Sequence, residues 1–164
     1  MSKQPAPAAH AAPQRQSADL YRFFTIMNAY WQGRTGSPVR EIRMNVLILE
    51  HNAELARLWS RHLERRGAAV TCATGLDAAV AALEDSRFDI LLLDIECADG
   101  AALTVSDLAA YRDPKARVIF VTASRFFSDG SLFSICPNAC AYLPSGTPAK
   151  DIADMVEHYT PIRA

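Results

Sequence analysis

The sequence lacks three features that would place it in a large class of proteins at once: an excess of charge of one sign, a long apolar run and a cysteine framework. The formal net charge is −1 at pH 7, so we expect no general electrostatic attraction to nucleic acid. No stretch approaches the ~18 consecutive apolar residues of a membrane helix, and the N-terminus lacks the apolar core of a signal peptide. We therefore expect a cytoplasmic protein that binds neither nucleic acid nor a membrane.

Cysteines are few, and their positions do not suggest a disulfide framework. Four are present, at Cys72, Cys97, Cys136 and Cys140, all inside or beside apolar runs. Such positions favour reduced thiols packed among apolar neighbours. Only the last two are closely spaced, and no second Cys/His pair completes a zinc site with them. The sequence therefore predicts neither a disulfide scaffold nor a cysteine zinc site.

The first 43 residues differ in pattern from the rest of the chain. Residues 1–16 are rich in Ala, Pro and Gln without apolar periodicity, which is typical of a disordered tail. Residues 17–43 are predicted to form a helix from Ser17 to Gly33, followed by a linker. One face of this helix carries six large apolar residues at helical spacing: Leu20, Phe23, Phe24, Met27, Tyr30 and Trp31.

A free helix of about 15 residues cannot leave such a face in water. Three arrangements stay open for it. The helix docks on its own chain as a brace, pairs with a second copy in a homodimer, or binds another protein.

From Met44 onward, apolar strands alternate with amphipathic helices. Near-continuous apolar strands favour a parallel sheet covered on both faces. Right-handed crossovers then make the fold a doubly wound α/β sheet. The predicted strands are 44–49, 68–73, 88–94, 117–122 and 139–143, and the predicted helices are 53–66, 76–85, 101–111 and 148–159, with a weakly helical stretch at 125–136.

Three of the predicted strands end in polar side chains. The first runs into Glu50, the third ends at Asp94, and the fourth ends at Thr122. In a parallel sheet the carboxyl ends of the strands form one edge, where ligands bind. The sequence therefore predicts that these three side chains converge on one polar site.

Four stretches follow one another in a characteristic order and spacing: VLILEHN at 46–52, FDILLLDI at 88–95, VIFVTA at 118–123 and NACAYLP at 138–144. Together they resemble response-regulator receiver domains over about residues 44–160. The resemblance implies a flavodoxin-like five-stranded parallel sheet in 2-1-3-4-5 order. It also implies a signalling module, not an enzyme, that takes a phosphoryl group from a partner kinase histidine onto an aspartate with Mg²⁺ bound.

Position by position, the resemblance assigns roles to four residues. Asp94 matches the phosphoacceptor, which also contacts the metal. Glu50 matches the first member of the family's acidic metal-binding pair. Thr122 matches the hydroxyl residue that contacts the phosphoryl group, and Tyr142 matches the aromatic that turns inward on activation.

Two positions depart from the family pattern. His51 occupies the place of the second acid, and Ser145 occupies the place of the lysine. Mg²⁺ prefers oxygen ligands, and an imidazole suits a transition metal better, so weak Mg²⁺ binding is expected. The lost lysine removes a fixed cation. A protonated His51, with a reference pKa near 6.5, would supply part of that charge and make the site sensitive to pH.

Two surfaces are candidates for protein contacts. Phe126 and Phe127 follow the strand that ends at Thr122, and neighbours on a helix lie about 100° apart. Either one of the two rings is exposed for a partner, or the segment is irregular and buries both. The second candidate is the apolar helix face with Phe23, Phe24, Met27 and Trp31. The resemblance implies a sensor histidine kinase or phosphotransfer protein as partner, with a further protein downstream.

Three functions stay open from the sequence. The first is a stand-alone atypical receiver that accepts phosphate at Asp94 and signals by protein contact. The second is a pseudo-receiver that binds partners without phosphorylation, which the changes at His51 and Ser145 favour. The third is a phosphatase-type enzyme with Asp94 as nucleophile, against which the missing lysine and missing second acid count.

Overall fold

The structure is a computed structural model that describes residues 44–97, 100–123 and 134–161. The predictions for the tail, the N-terminal helix and the linker lie outside these ranges, and so do those for two candidate surfaces. The interaction residues outside the described ranges are Phe23, Phe24, Met27, Trp31, Phe126 and Phe127.

Strands and helices alternate through the described residues. The strands form one five-stranded sheet in the order β2-β1-β3-β4-β5, and all four pairings are parallel. The predicted doubly wound parallel sheet and its strand order are confirmed. The strands are β1 (Met44–Leu49), β2 (Ala68–Ala73), β3 (Ile90–Asp94), β4 (Arg117–Thr122) and β5 (Ala139–Pro144), and the helices are α1 (Ala53–Glu64), α2 (Leu76–Asp85), α3 (Ala101–Arg112) and α4 (Ala149–Tyr159).

The sheet is buried on both faces, which explains the continuous apolar strands. β3, at the centre, is buried at every residue. On one face, side chains of β1, β3 and β4 pack with α2 and α3 in a single core cluster. On α1, Trp59 and Leu63 are buried, as are Ile152 and Val156 on α4, and these two helices contact each other. None of the helices in the described ranges has the length and apolarity that crossing a membrane requires.

Two element boundaries differ from the sequence-based prediction by two residues, and three others, at the end of α3, the end of β5 and the start of α4, differ by one residue. β3 begins at Ile90, not at residue 88, because the Asp89 carboxylate accepts the Asn45 backbone N–H at 2.8 Å, where a strand partner's carbonyl would otherwise lie. α1 ends at Glu64, not at residue 66. The chain then tightens into a turn in which the Gly67 N–H donates to the Glu64 carbonyl at 2.9 Å, with Gly67 at a φ of 83°.

The cysteines all fall within the described ranges and are reduced thiols. Cys97 and Cys136 are buried and Cys140 is half-buried, as expected for packed thiols. The prediction is wrong for Cys72, which is exposed. This residue lies on β2, an edge strand of the sheet, so it is the accessible thiol among the four.

An ion-pair network joins the turn after α1 to α4. The Arg66 guanidinium donates to the Asp154 carboxylate and, at 2.6 Å, to Glu157 Oε2. Both acids lie on α4, so one guanidinium bridges two carboxylates a helical turn apart. The network holds α1 and α4 together on the side of the sheet they share.

Candidate functional site

The carboxyl edge of the sheet brings together the three strand-end residues predicted from the sequence. Glu50 follows β1, Asp94 ends β3, and Thr122 ends β4. β3 is paired with both β1 and β4, so these ends are neighbours. Exposed fractions are only 2% for Glu50, 6% for Asp94 and 9% for Thr122. The edge therefore holds two buried carboxylates beside a buried hydroxyl.

His51 lies between the two carboxylates. Its Nδ1 is 3.2 Å from Glu50 Oε1 and 3.3 Å from Asp94 Oδ2. The imidazole side chain is 63% exposed, whereas those of Glu50 and Asp94 are 3% and 8% exposed. The ring is therefore the solvent-facing member of the group, and one nitrogen faces both acids.

Backbone amides fix the orientation of each carboxylate. The Asn52 N–H donates to Glu50 Oε1 at 2.7 Å, and the Glu96 N–H donates to Asp94 Oδ1 at 3.0 Å. Asn52 is also the N-cap of α1, since its side chain accepts the N–H groups of the first turn. Neither Asn52 nor Glu96 is among the site residues predicted from the sequence. The signal for Asn52 was available, because Asn is a preferred N-cap and directly precedes the predicted helix.

The environment of Glu50 disfavours its ionised form. Burial is the main cause that raises the pKa of the Glu50 carboxyl above its usual value, and the negative charge of Asp94 raises it further. The Asn52 N–H and the His51 ring oppose this shift without cancelling it. Two acids therefore share a small buried volume, in which a bound cation would relieve their repulsion.

This shift predicts how stability depends on pH at Glu50. A carboxyl whose pKa is raised on folding stabilises the fold below its unfolded value of 4.5, and that contribution is lost as pH rises through the folded pKa. Glu50→Gln cannot titrate. We therefore expect the free energy of unfolding of the wild type, relative to Glu50→Gln, to fall as pH rises from about 4 to about 7. Urea unfolding across this range measures the difference, and a difference that is constant or increases with pH would contradict the assignment.

Two more of the predicted residues, Tyr142 and Ser145, lie on β5 and directly after it. The Ser145 N–H donates to the Thr122 carbonyl at 2.9 Å, which fixes the turn after β5 beside the end of β4. Ser145 itself is exposed, so the position of the expected lysine holds a neutral, solvent-facing side chain. Tyr142 is half-buried on β5, and its ring stacks on Phe120 of β4 with centroids 5.9 Å apart.

The donor set of the site is a poor match to Mg²⁺. Glu50, His51 and Asp94 each offer one ligand atom, and these atoms lie within 4.8 Å of one another. Mg²⁺ demands near-octahedral oxygen ligands and is held by carboxylates and water. Here the third donor is an imidazole nitrogen, so Glu50, His51 and Asp94 do not form a dedicated Mg²⁺ site.

Neither a protein-family model nor a curated protein matches the chain. Solved structures of response regulators do match it. A receiver domain protein from Methanospirillum hungatei is 22% identical over 71% of this chain and 92% of its own, with a TM-score of 0.63. A Thermotoga maritima response regulator in complex with Mg²⁺ and BeF is 17% identical over 71% of this chain and 98% of its own, with a TM-score of 0.61.

A third similar structure is a response regulator from Burkholderia pseudomallei with a phosphorylated aspartic acid and a calcium ion. It is 23% identical over 70% of this chain and 71% of its own, with a TM-score of 0.59. At these identities the similarity establishes the architecture. The chain therefore has the CheY-like fold of response-regulator receiver domains.

Proposed function

We propose that this chain is a receiver-like signalling module, not an enzyme, that accepts a phosphoryl group at Asp94 and signals through protein contacts. The observation that carries the proposal is the Asp94 carboxylate at the end of the central strand. Its Oδ1 is held by the Glu96 N–H, whereas Oδ2 faces the exposed His51 ring. One oxygen is thus fixed, and the other lies against the exposed ring, on the side from which a donor would approach.

The chemistry is an in-line transfer from a phosphohistidine of a partner protein. Asp94 Oδ2 attacks phosphorus, the P–N bond of the donor breaks, and the leaving imidazole takes up a proton. An aspartyl phosphate forms on this chain. Because phosphoryl transfer depends mainly on positioning and charge stabilisation, the fixed Asp94 rotamer is the main contribution of the fold. His51 has to move aside from Oδ2, which its exposure permits.

Other residues of the edge take supporting roles in the proposal. Thr122 supplies a hydroxyl for a phosphoryl oxygen, and Tyr142 changes its packing on Phe120 when the group is present. If Mg²⁺ bound, Glu50 and Asp94 would hold it, and it would neutralise part of the charge on the phosphoryl group. Its binding is weak because His51 has replaced an acid. One of the similar solved structures is a complex with Mg²⁺ and BeF, and another has a phosphorylated aspartic acid and a calcium ion. Both support a cation site and a phosphoryl site at this edge.

The partners follow from the same chemistry. A sensor histidine kinase or a phosphotransfer protein donates the phosphoryl group, and a downstream protein reads the modified surface. A second copy of the chain is a further candidate partner.

A second function is favoured by a separate observation. His51 already bridges the two carboxylates at 3.2 and 3.3 Å, and Ser145 leaves the lysine position neutral. These contacts give the two carboxylates a shared partner from within the chain. The second candidate is therefore a pseudo-receiver, which binds its partner independently of phosphorylation.

Intact mass spectrometry separates the two candidates. The purified chain is incubated with Mg²⁺ and a small acyl phosphate donor, with Asp94→Ala treated in parallel. We expect an adduct of one phosphoryl group in the wild type and none in the variant. An adduct that persists in Asp94→Ala would contradict the assignment of the acceptor, and no adduct in either protein would favour the pseudo-receiver.

A further inference from the structure

We propose that Glu50, His51 and Asp94 form a site for a divalent transition metal, with zinc as the best match, in preference to Mg²⁺. The inference rests on the proposed function only in that both use the same carboxylates. It starts from the donor set, which holds two carboxylate oxygens and one imidazole nitrogen. Imidazole and carboxylate together are ligands typical of zinc, and mixed nitrogen and oxygen sites bind the later first-row metals more tightly.

The two distances from the His51 nitrogen to the carboxylate oxygens agree with a small tetrahedral ion. Zinc lies about 2.0–2.1 Å from nitrogen and oxygen ligands, so two ligand atoms of a tetrahedral site are about 3.3 Å apart. His51 Nδ1 lies 3.2 Å from Glu50 Oε1 and 3.3 Å from Asp94 Oδ2. In an octahedral Mg²⁺ site, adjacent ligand atoms lie about 2.9 Å apart. All three residues offer ligand atoms within 4.8 Å of one another, as one shared ion requires.

Burial and charge favour a cation at the same point. The side chains of Glu50 and Asp94 are 3% and 8% exposed, and a cation would offset the repulsion between them. Backbone N–H groups of Asn52 and Glu96 already orient both carboxylates, as the outer contacts of metal ligands commonly do. The carboxylates are therefore largely in place before a metal binds.

Three protein ligands leave a fourth position for water or an external oxygen. The His51 side chain is 63% exposed, so solvent reaches this side of the group and could supply that ligand. An oxygen of inorganic phosphate or of a phosphorylated partner is the kind of ligand that fits there. The substitution that weakens Mg²⁺ binding thus gives the edge a different metal chemistry.

Competition with a chromophoric chelator tests the proposal, using the full chain and zinc or Mg²⁺ alone, without any phosphodonor. His51→Ala is expected to weaken zinc binding by at least about 10- to 100-fold. His51→Asp is expected to lower zinc affinity and to raise Mg²⁺ affinity, because it restores an oxygen ligand. Two matched controls, His158→Ala and Cys72→Ser, each remove another exposed potential zinc ligand, and both should bind zinc as the wild type does.

Three results would overturn the proposal: no zinc binding by the wild type, unchanged zinc affinity in His51→Ala, or loss of binding in Cys72→Ser. Circular dichroism of each variant confirms that the fold is intact, which the exposure of His51 favours. Because no phosphodonor is present, a negative result in the zinc experiment does not bear on the phosphorylation of Asp94. A failure of phosphorylation would likewise leave zinc binding unaffected.

Discussion

Changing His51 to Asp and Ser145 to Lys together is expected to raise the rate of Asp94 phosphorylation by a small phosphodonor about 100-fold or more. A single preorganised charge or donor at a reacting centre contributes about 10²- to 10³-fold in rate. His51→Asp restores an oxygen ligand for Mg²⁺, and Ser145→Lys restores a cation for the developing charge. Both positions are exposed, so the changes are compatible with the fold.

The rate is followed by intact mass at several times after donor addition, in the presence of Mg²⁺. Two matched controls keep the size of the new side chains without their charge, His51→Asn and Ser145→Gln. These controls should leave the rate close to that of the wild type. A double variant no faster than the wild type would contradict the view that the two substitutions limit the reaction.

Phe120→Ala is expected to lower the free energy of unfolding by about 3–5 kcal/mol, the usual cost of removing a fully buried ring. Phe120 is 0% exposed and belongs to the core cluster between the sheet and α2 and α3. Its ring also stacks on Tyr142, so the change removes the support of the proposed switch residue. Urea unfolding of the two proteins measures the difference.

Phe120→Leu is the matched control, because it keeps most of the apolar volume. We expect it to cost about 1 kcal/mol. Equal losses of unfolding free energy for the two substitutions, or a loss below about 1 kcal/mol for Phe120→Ala, would contradict a stabilising role of the Phe120 ring in the core.

Much of the fold could be predicted because the strands are unusually apolar. A run such as Ile90 to Leu93 is too short for a helix and favours a strand covered on both faces, and the alternation with helices then gives a parallel sheet. The start of β3 could not be predicted. It depends on a hydrogen bond between Asp89 and the Asn45 backbone, and the two residues are distant in sequence. Side chains of Asp compete with strand pairing in this way wherever the geometry permits.

The site was predictable in position but not in detail. Strand ends of a parallel sheet share an edge, so the convergence of Glu50, Asp94 and Thr122 followed from the topology. The direction of the His51 ring did not follow, because a residue after a strand can turn towards solvent or towards the sheet edge. The structure places its Nδ1 against both acids. The assigned roles of these residues, and of Tyr142, stay predictions.

The most direct test of the central claim is to locate the phosphoryl group on the wild-type chain. After incubation with the donor, borohydride reduces an aspartyl phosphate to homoserine, which peptide mass spectrometry locates. The His51→Asp/Ser145→Lys variant serves as the positive control for the donor and the reduction. We predict homoserine at position 94 in both proteins, formed more slowly in the wild type. Homoserine at 94 in the variant, with an unchanged Asp94 in the wild type, would contradict the claim that this chain accepts a phosphoryl group.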